Sequence, residues 1–312
     1  MFRRMNWSSA INSSLTVVAL NPRDSFTAAL TKNMIVVSLC ISINYINGVM
    51  VHTFRKHEVF ISSPRYTLFI HLVINDMIQL LLSTLLHVVS YAFYTINVSL
   101  CIVLLLISIT TTLNTPLNLA GMAVECYVAI GLPLRHSQIC TIRNTYIFIG
   151  LVWTAGTVSI LPDALILVAT EPVPFFYSRV LCIRDQVFRS SYSLKKRNAS
   201  HILCLILVWL VLFFTYFRIL FAAKGANKDF RKARNTILLH GFQMLLCMLS
   251  YIRPMFENAM QVLVSSKYLS AIGFCSYIIS LILPRFISPI VYGLRDQTFR
   301  KFTSRYLLCK TR

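Results

Sequence analysis

The chain has 312 residues, of which 56% are hydrophobic and only 13% are charged, and its mean hydropathy is +0.68. A soluble globular domain carries about 25% charged residues, so this composition excludes an ordinary soluble fold and points to a membrane protein. The formal net charge of +20 comes from Lys and Arg lying between apolar runs, where they serve as topology signals and contacts for anionic lipids; nucleic acid is not expected as a partner.

Residues 1–27 are polar and contain no apolar stretch of the kind a cleavable signal peptide needs. They are expected to form an extracellular N-terminal segment, with the first span acting as its own insertion signal. A spanning helix needs about 20 mostly apolar residues. Seven candidates follow in order, at 28–51, 66–91, 98–130, 145–169, 200–223, 235–256 and 268–292. Together they predict an all-α membrane protein, a seven-transmembrane helix bundle over 28–292. The third span is the longest, which suits a tilted helix. Pro116, Pro162, Pro254, Pro284 and Pro289 interrupt the third, fourth, sixth and seventh spans, as bundles tolerate when neighbours satisfy the freed carbonyls. Residues 293–312 are expected to form a cytoplasmic tail with a short amphipathic C-terminal helix. In it Phe299, Phe302 and Tyr306 make an apolar stripe flanked by Arg295, Arg300, Lys301 and Arg305, and Cys309 is a candidate for palmitoylation or an unmodified tail cysteine.

Lys and Arg are concentrated after the first, third and fifth spans and in the tail, which places those segments inside and the N-terminus outside, at the plasma membrane. The loop between the fourth and fifth spans is also basic, but long loops weigh less in this rule. The glycosylation acceptor pattern occurs at Asn6, Asn12, Asn97 and Asn198, all on the side assigned as external. Asn6 and Asn12, being away from helix ends, are the preferred acceptors. The nine cysteines include no CxxC pair and no metal-like cluster, so neither metal nor cofactor is expected. Cys101 precedes Cys126 by about 37 Å of helix, so one lies outside when the other lies inside. On the outer, oxidising side the other cysteine is Cys182, in the loop before the fifth span. The two either form a disulfide that ties this loop over the mouth of the bundle or remain free thiols.

The stretch "MAVECYVAIGLPLRH" at 122–136 resembles the "MAYDRYVAICxPLRY" signature of vertebrate odorant receptors, a branch of the rhodopsin-like G-protein-coupled receptors. "SPRYTLFIHLVINDM" keeps Pro64, Tyr66 and Asp76 in step with the family's second helix. "RKARNTILLH" matches its sixth at Lys232, Ala233, Thr236 and His240. "SPIVYGLRDQTFRK" matches its seventh at Pro289, Tyr292, Leu294, Arg295 and Arg300. The opening "INYINGVMVHTFRKHEVF" looks like the fish-type subgroup. The resemblance implies a receptor that binds a small odorant on the extracellular side and activates a heterotrimeric G protein, with a receptor dimer as a further partner. The competing class is a multi-pass channel or transporter, but no internal repeat is visible and buried charges are few. An intramembrane enzyme is disfavoured, since neither HExxH nor GxSxG at a helix start is present.

The chain departs from the family at its switch positions. Where the family has an acid followed by arginine, here Glu125 is followed by Cys126 and Tyr127. Ser288 stands for the seventh-helix asparagine, Cys247 and Met248 for the sixth-helix aromatics, and Arg285 for a small residue. The resemblance implies that Asp76, Glu125, Cys126, Tyr127, Tyr216, Arg285, Pro289 and Tyr292 carry switching and coupling. An intramembrane acid is costly unless paired, so Asp76 is expected to pair with Arg285 in place of a sodium ion, unless the two snorkel separately. Glu125 is expected to reach Arg135, Arg143 or the basic loop before the sixth span, or else to stay unpartnered. The small Cys126 is expected to leave room for a partner peptide or a neighbouring tyrosine such as Tyr216. The basic loop, with Lys224, Lys228, Arg231, Lys232 and Arg234, suits anionic lipids, an acidic G-protein surface or both. The ligand is expected between the third, fifth, sixth and seventh helices. Ser108, Thr111, Thr112 and His201 are candidate lining residues there, as are Cys204, Tyr251 and Tyr277, each set against the plainer role of a helix–helix contact. The basic residues of the outer loop hint that anionic or polar ligands are drawn in.

Overall fold

The computed structural model describes residues 25–307 apart from 94, 223–227 and 296. Its long helices are α1 (Phe26–Lys56), α2 (Pro64–Ala92), α3 (Val98–Gly131), α4 (Ile142–Thr170), α5 (Ser191–Ala222) and α6 (Lys228–Leu263). α7 runs from Ser266–Tyr277 through a π turn, Ile278–Ile282, into Leu283–Arg295, and α8 spans Gln297–Leu307. Among the described residues, six of these helices are long and apolar enough to cross a membrane; α6 contributes a shorter apolar stretch, Gly241–Ser250.

Local chemistry sets the helix starts. The Ser25 side chain accepts from the Ala28 amide, Asn97 from Ser99 and Thr141 from Asn144, each satisfying a donor left over in a first turn. Pro64 opens α2 at a position where a missing N–H costs nothing. α5 begins nine residues before the expected span and α6 both begins earlier and ends later than expected. Apolar length marks the membrane, but nothing in a polar flank obliges the helix to stop there.

α3 is the axis of the bundle, packed on α2, α4, α5 and α6. Polar side chains lock it to its neighbours. Asn75 Nδ2 donates to the Thr111 carbonyl at 2.9 Å and to Thr115 Oγ1 at 3.0 Å. His71 bonds Asn118 on one ring nitrogen and accepts from Trp153 Nε1 on the other at 2.7 Å. Gly156 lets α4 approach so closely that a Cβ there would meet Thr110 Cγ2 at 2.9 Å, the small-residue packing that membrane helices rely on. In α7, Pro284 has no N–H for the Ser280 carbonyl four residues earlier; the Ser250 hydroxyl of α6 donates to that carbonyl at 2.6 Å instead.

α8 lies against the bundle more closely than an interfacial helix would. Phe299 is fully buried and packs on Phe60, Tyr66 and Phe69, while Phe302 and Tyr306 reach His57 at the end of α1. The apolar stripe read from the sequence therefore faces the turn between α1 and α2. Arg300, Lys301 and Arg305 remain exposed.

Candidate functional site

At the end of the bundle expected to lie outside, Cys101 and Cys182 form a disulfide with a Cα–Cα distance of 5.6 Å. The loop it anchors also pairs Arg179–Val180 antiparallel with Ile96–Asn97, and the Ser99 hydroxyl donates to the Phe176 carbonyl. A second tether escaped the sequence reading. Asp163 of α4 is only 2% exposed, and its carboxylate meets Lys196 of α5 at 3.2 Å and Arg184 of the loop at 3.6 Å. Two of the basic residues counted as loop charge are thus committed to one buried acid. An intramembrane carboxylate was itself the signal that could have flagged Asp163.

In the middle of the bundle, Asp76 and Arg285 line one small cavity with Gln243 and Ser288, roomy enough for about one water. They do not form the direct ion pair expected. The Arg285 guanidinium donates to Gln79 Oε1 at 2.6 Å and to the Leu281 carbonyl at 2.8 Å. Gln79 lies one turn from Asp76 and intercepts the cation. Gln79 Nε2 in turn donates to Thr112 Oγ1 at 2.6 Å, and Gln243 donates to Ser288, which sits beside the Asp76 carboxylate. A polar chain therefore joins α2, α3, α6 and α7. Asp76 Oδ1 and Arg285 Nε have no hydrogen-bond partner among the described residues.

At the opposite end, expected to lie inside, Glu125 is buried and held by Arg65 Nε and His136 Nε2, both at 3.3 Å. Neither was among the expected partners: Arg65 comes from the first turn of α2 and His136 from the short helix Pro133–Ile139. Cys140, just beyond that helix, has its thiol pushed up by burial and by the negative charge of Glu125, which keeps it protonated. Cys126 is 2% exposed and packs on Ile219 of α5, with Tyr127 and Tyr216 packed against this pair. Tyr127 also accepts from Arg218 at 3.4 Å.

The expected ligand residues separate. The hydroxyls of Thr111 and Thr112 donate to backbone carbonyls of their own helix, among them that of Ser108. Cys204 packs against the large inner cluster. Tyr277 stacks on His87 of α2 at 4.6 Å and lies under Arg253 of α6. Pro289 is buried and lines a cavity together with residues of α1 and α8, among them Ile43 and Phe299. The side chains of His201, Tyr251 and Tyr292, those of the basic loop from Lys224 to Arg234, and Asn6, Asn12 and Cys309 lie outside the described residues.

A disulfide-closed outer mouth, a polar chain through the middle and a capped acid at the inner end of the central helix are the parts of a transmembrane receptor. Residues 46–292 match the family described as 7 transmembrane receptor (rhodopsin family), and the chain belongs to it. It is similar to Odorant receptor 131-2 of Danio rerio, with 30% identity over 281 residues that cover 85% of this chain and 82% of that protein.

Proposed function

We propose that the chain is an odorant receptor of the plasma membrane, which binds a small organic ligand in the outer half and activates a heterotrimeric G protein at the inner end. The observation that carries this reading is the similarity to an odorant receptor along most of both chains. In this reading residues 1–27 are extracellular and glycosylated at Asn6 and Asn12, residues 28–292 form the bundle, and residues 293–312 are cytoplasmic, with Cys309 acylated. The disulfide and Asp163 hold the outer loop fixed, so ligand contacts in the outer half are transmitted as movements of α5, α6 and α7. The exposed cations of α8 and the basic loop before α6 face anionic lipid and the G protein, and a second receptor copy is a further partner. A panel of odorants applied to cells expressing the full chain, read by G-protein dissociation, tests it. Concentration-dependent responses are expected. Ligand-evoked currents that persist in cells lacking G proteins would replace this reading with the channel.

The inner end makes a sharper prediction. With cysteine at 126, Glu125 is held by Arg65 and His136 instead of by its neighbour. Restoring the cation in Cys126→Arg puts a guanidinium beside Glu125, where opposite charges gain about 1–4 kcal/mol before desolvation, and ties α3 more firmly at rest. A shift of about 1.4 kcal/mol lowers a small active population about tenfold. Ligand-free second-messenger signalling is therefore expected to be lower in Cys126→Arg than in the wild type at matched surface label. Equal basal signals with intact ligand responses would show that position 126 has no such role.

A further inference from the structure

The outer third of the bundle holds a group of donors of which the expected ligand set included only Tyr277. Lys32 of α1 donates to Ser270 Oγ at 2.6 Å and to the Ser270 carbonyl at 3.3 Å, and its ammonium lies 5.6 Å above the Phe274 ring. Arg253 of α6 lies over Tyr277 at 5.4 Å, and Tyr277 stacks on His87. Both cations are near enough to act electrostatically on the His87 ring. Four helices thus bring two permanent cations, an imidazole and a phenol to one place.

Three of the polar groups there are buried without a hydrogen-bond partner among the described residues: the Tyr277 hydroxyl, the Thr84 hydroxyl and His87 Nε2. Tyr277 is 6% exposed and Thr84 8%. Ser83 and Thr84 lie beside the Tyr277 hydroxyl, but it makes no hydrogen bond of good geometry among the described residues. A buried polar atom left unpaired costs about 1–3 kcal/mol, and a cluster of them beside cations is the arrangement expected where an acceptor from outside the protein completes the set.

We propose that the cluster of Lys32, Thr84, His87, Arg253 and Tyr277 is the anion-binding end of a ligand site between α1, α2, α6 and α7, taking the carboxylate of a small organic acid. This rests on the receptor reading only for its consequence in signalling, not for the binding itself. The charge favours a monoanion over a phosphate dianion, because Arg253 is already shared with Glu257 at 2.7 Å. Phe274 and Tyr91 flank His87 at 6.2 and 5.1 Å and offer an apolar wall to the carbon chain. The carboxylate would accept from the ammonium of Lys32, the phenol of Tyr277 and the imidazole N–H of His87, which are charge-assisted bonds of the stronger kind.

The test uses the full-length receptor purified in lipid nanodiscs and heated in the presence of straight-chain carboxylates from butanoate to decanoate, of the matching alcohols, or of sodium chloride at equal ionic strength. Carboxylates should raise the unfolding temperature, while alcohols and chloride leave it unchanged. Tyr277→Phe and Lys32→Met should each raise the half-saturating carboxylate concentration about tenfold or more, as the loss of one charge-assisted bond requires. Tyr277→Phe keeps the ring and its stacking, so it stays informative even if Lys32→Met folds poorly. Equal stabilisation by acids and alcohols, stabilisation by chloride alone, or carboxylate binding unchanged in Tyr277→Phe would each overturn the site. If carboxylates bind as described but evoke no G-protein response while other odorants do, the site stands and is not the activating one. If no ligand of any class evokes a response, the receptor reading falls and the binding result is unaffected.

Discussion

Arg285→Leu should reduce surface expression severely, and adding Asp76→Asn should recover much of the loss. Arg285 is 3% exposed, and removing it leaves a buried carboxylate facing a cavity with no cation. Breaking a buried charge pair from one side costs about 3–5 kcal/mol, a large part of the 5–15 kcal/mol that typically separates folded from unfolded protein. The two charges are not in direct contact, because Gln79 holds the guanidinium. Their coupling runs through the shared cavity and the chain Gln79–Arg285, so it should be smaller than for a contact pair but still about 1 kcal/mol or more. Gln79→Leu gives the comparison: it removes Arg285's neutral acceptor and should push the guanidinium toward Asp76. Thermal inactivation of purified wild type, both single variants and the double variant measures the coupling. Strictly additive losses would show that the two charges are solvated independently.

The spans were legible because hydropathy over about 20 residues is imposed by the bilayer, and six helices meet it directly. The outer disulfide was legible because topology left Cys101 one partner on its side. Partner choice inside the bundle was not. Asp76 and Gln79 share one face of α2 by helical period, but period alone cannot say which of them the long guanidinium of Arg285 on α7 selects. Glu125 and Arg65 are 60 residues apart, and nothing in the spacing of either helix encodes that α2 starts beside the inner end of α3. The aromatic stripe of α8 was read correctly as apolar, but its direction was set by Phe60, Tyr66 and Phe69, which supply a more complete burial than the lipid interface would.

The largest effect at the outer end is expected for Asp163→Asn. The substitution keeps the shape and removes the charge, leaving Lys196 and Arg184 directed at a buried amide. Lys196 retains the Ser159 carbonyl at 2.6 Å, and both cations keep about a fifth of their side chains exposed, so part of the penalty is relieved by solvent. The cost should then fall near the lower end of the buried-pair range, about 2–3 kcal/mol, and appear as a fall of several degrees in unfolding temperature. Its location is more diagnostic than its size. Arg184 follows the disulfide cysteine Cys182 by two residues, so the loop is clamped twice within one short stretch. Releasing one clamp should raise hydrogen exchange in the loop and the first turns of α5 while α1 and α2 stay protected. Asp163→Asn combined with Lys196→Met should exchange less in α5 than the single variant, because α5 then no longer carries a cation directed at a neutral amide, and only Arg184 of the loop loses its acid. If the single variant melts and exchanges like the wild type, the buried acid does not hold the outer loop, and the disulfide alone fixes the mouth of the bundle.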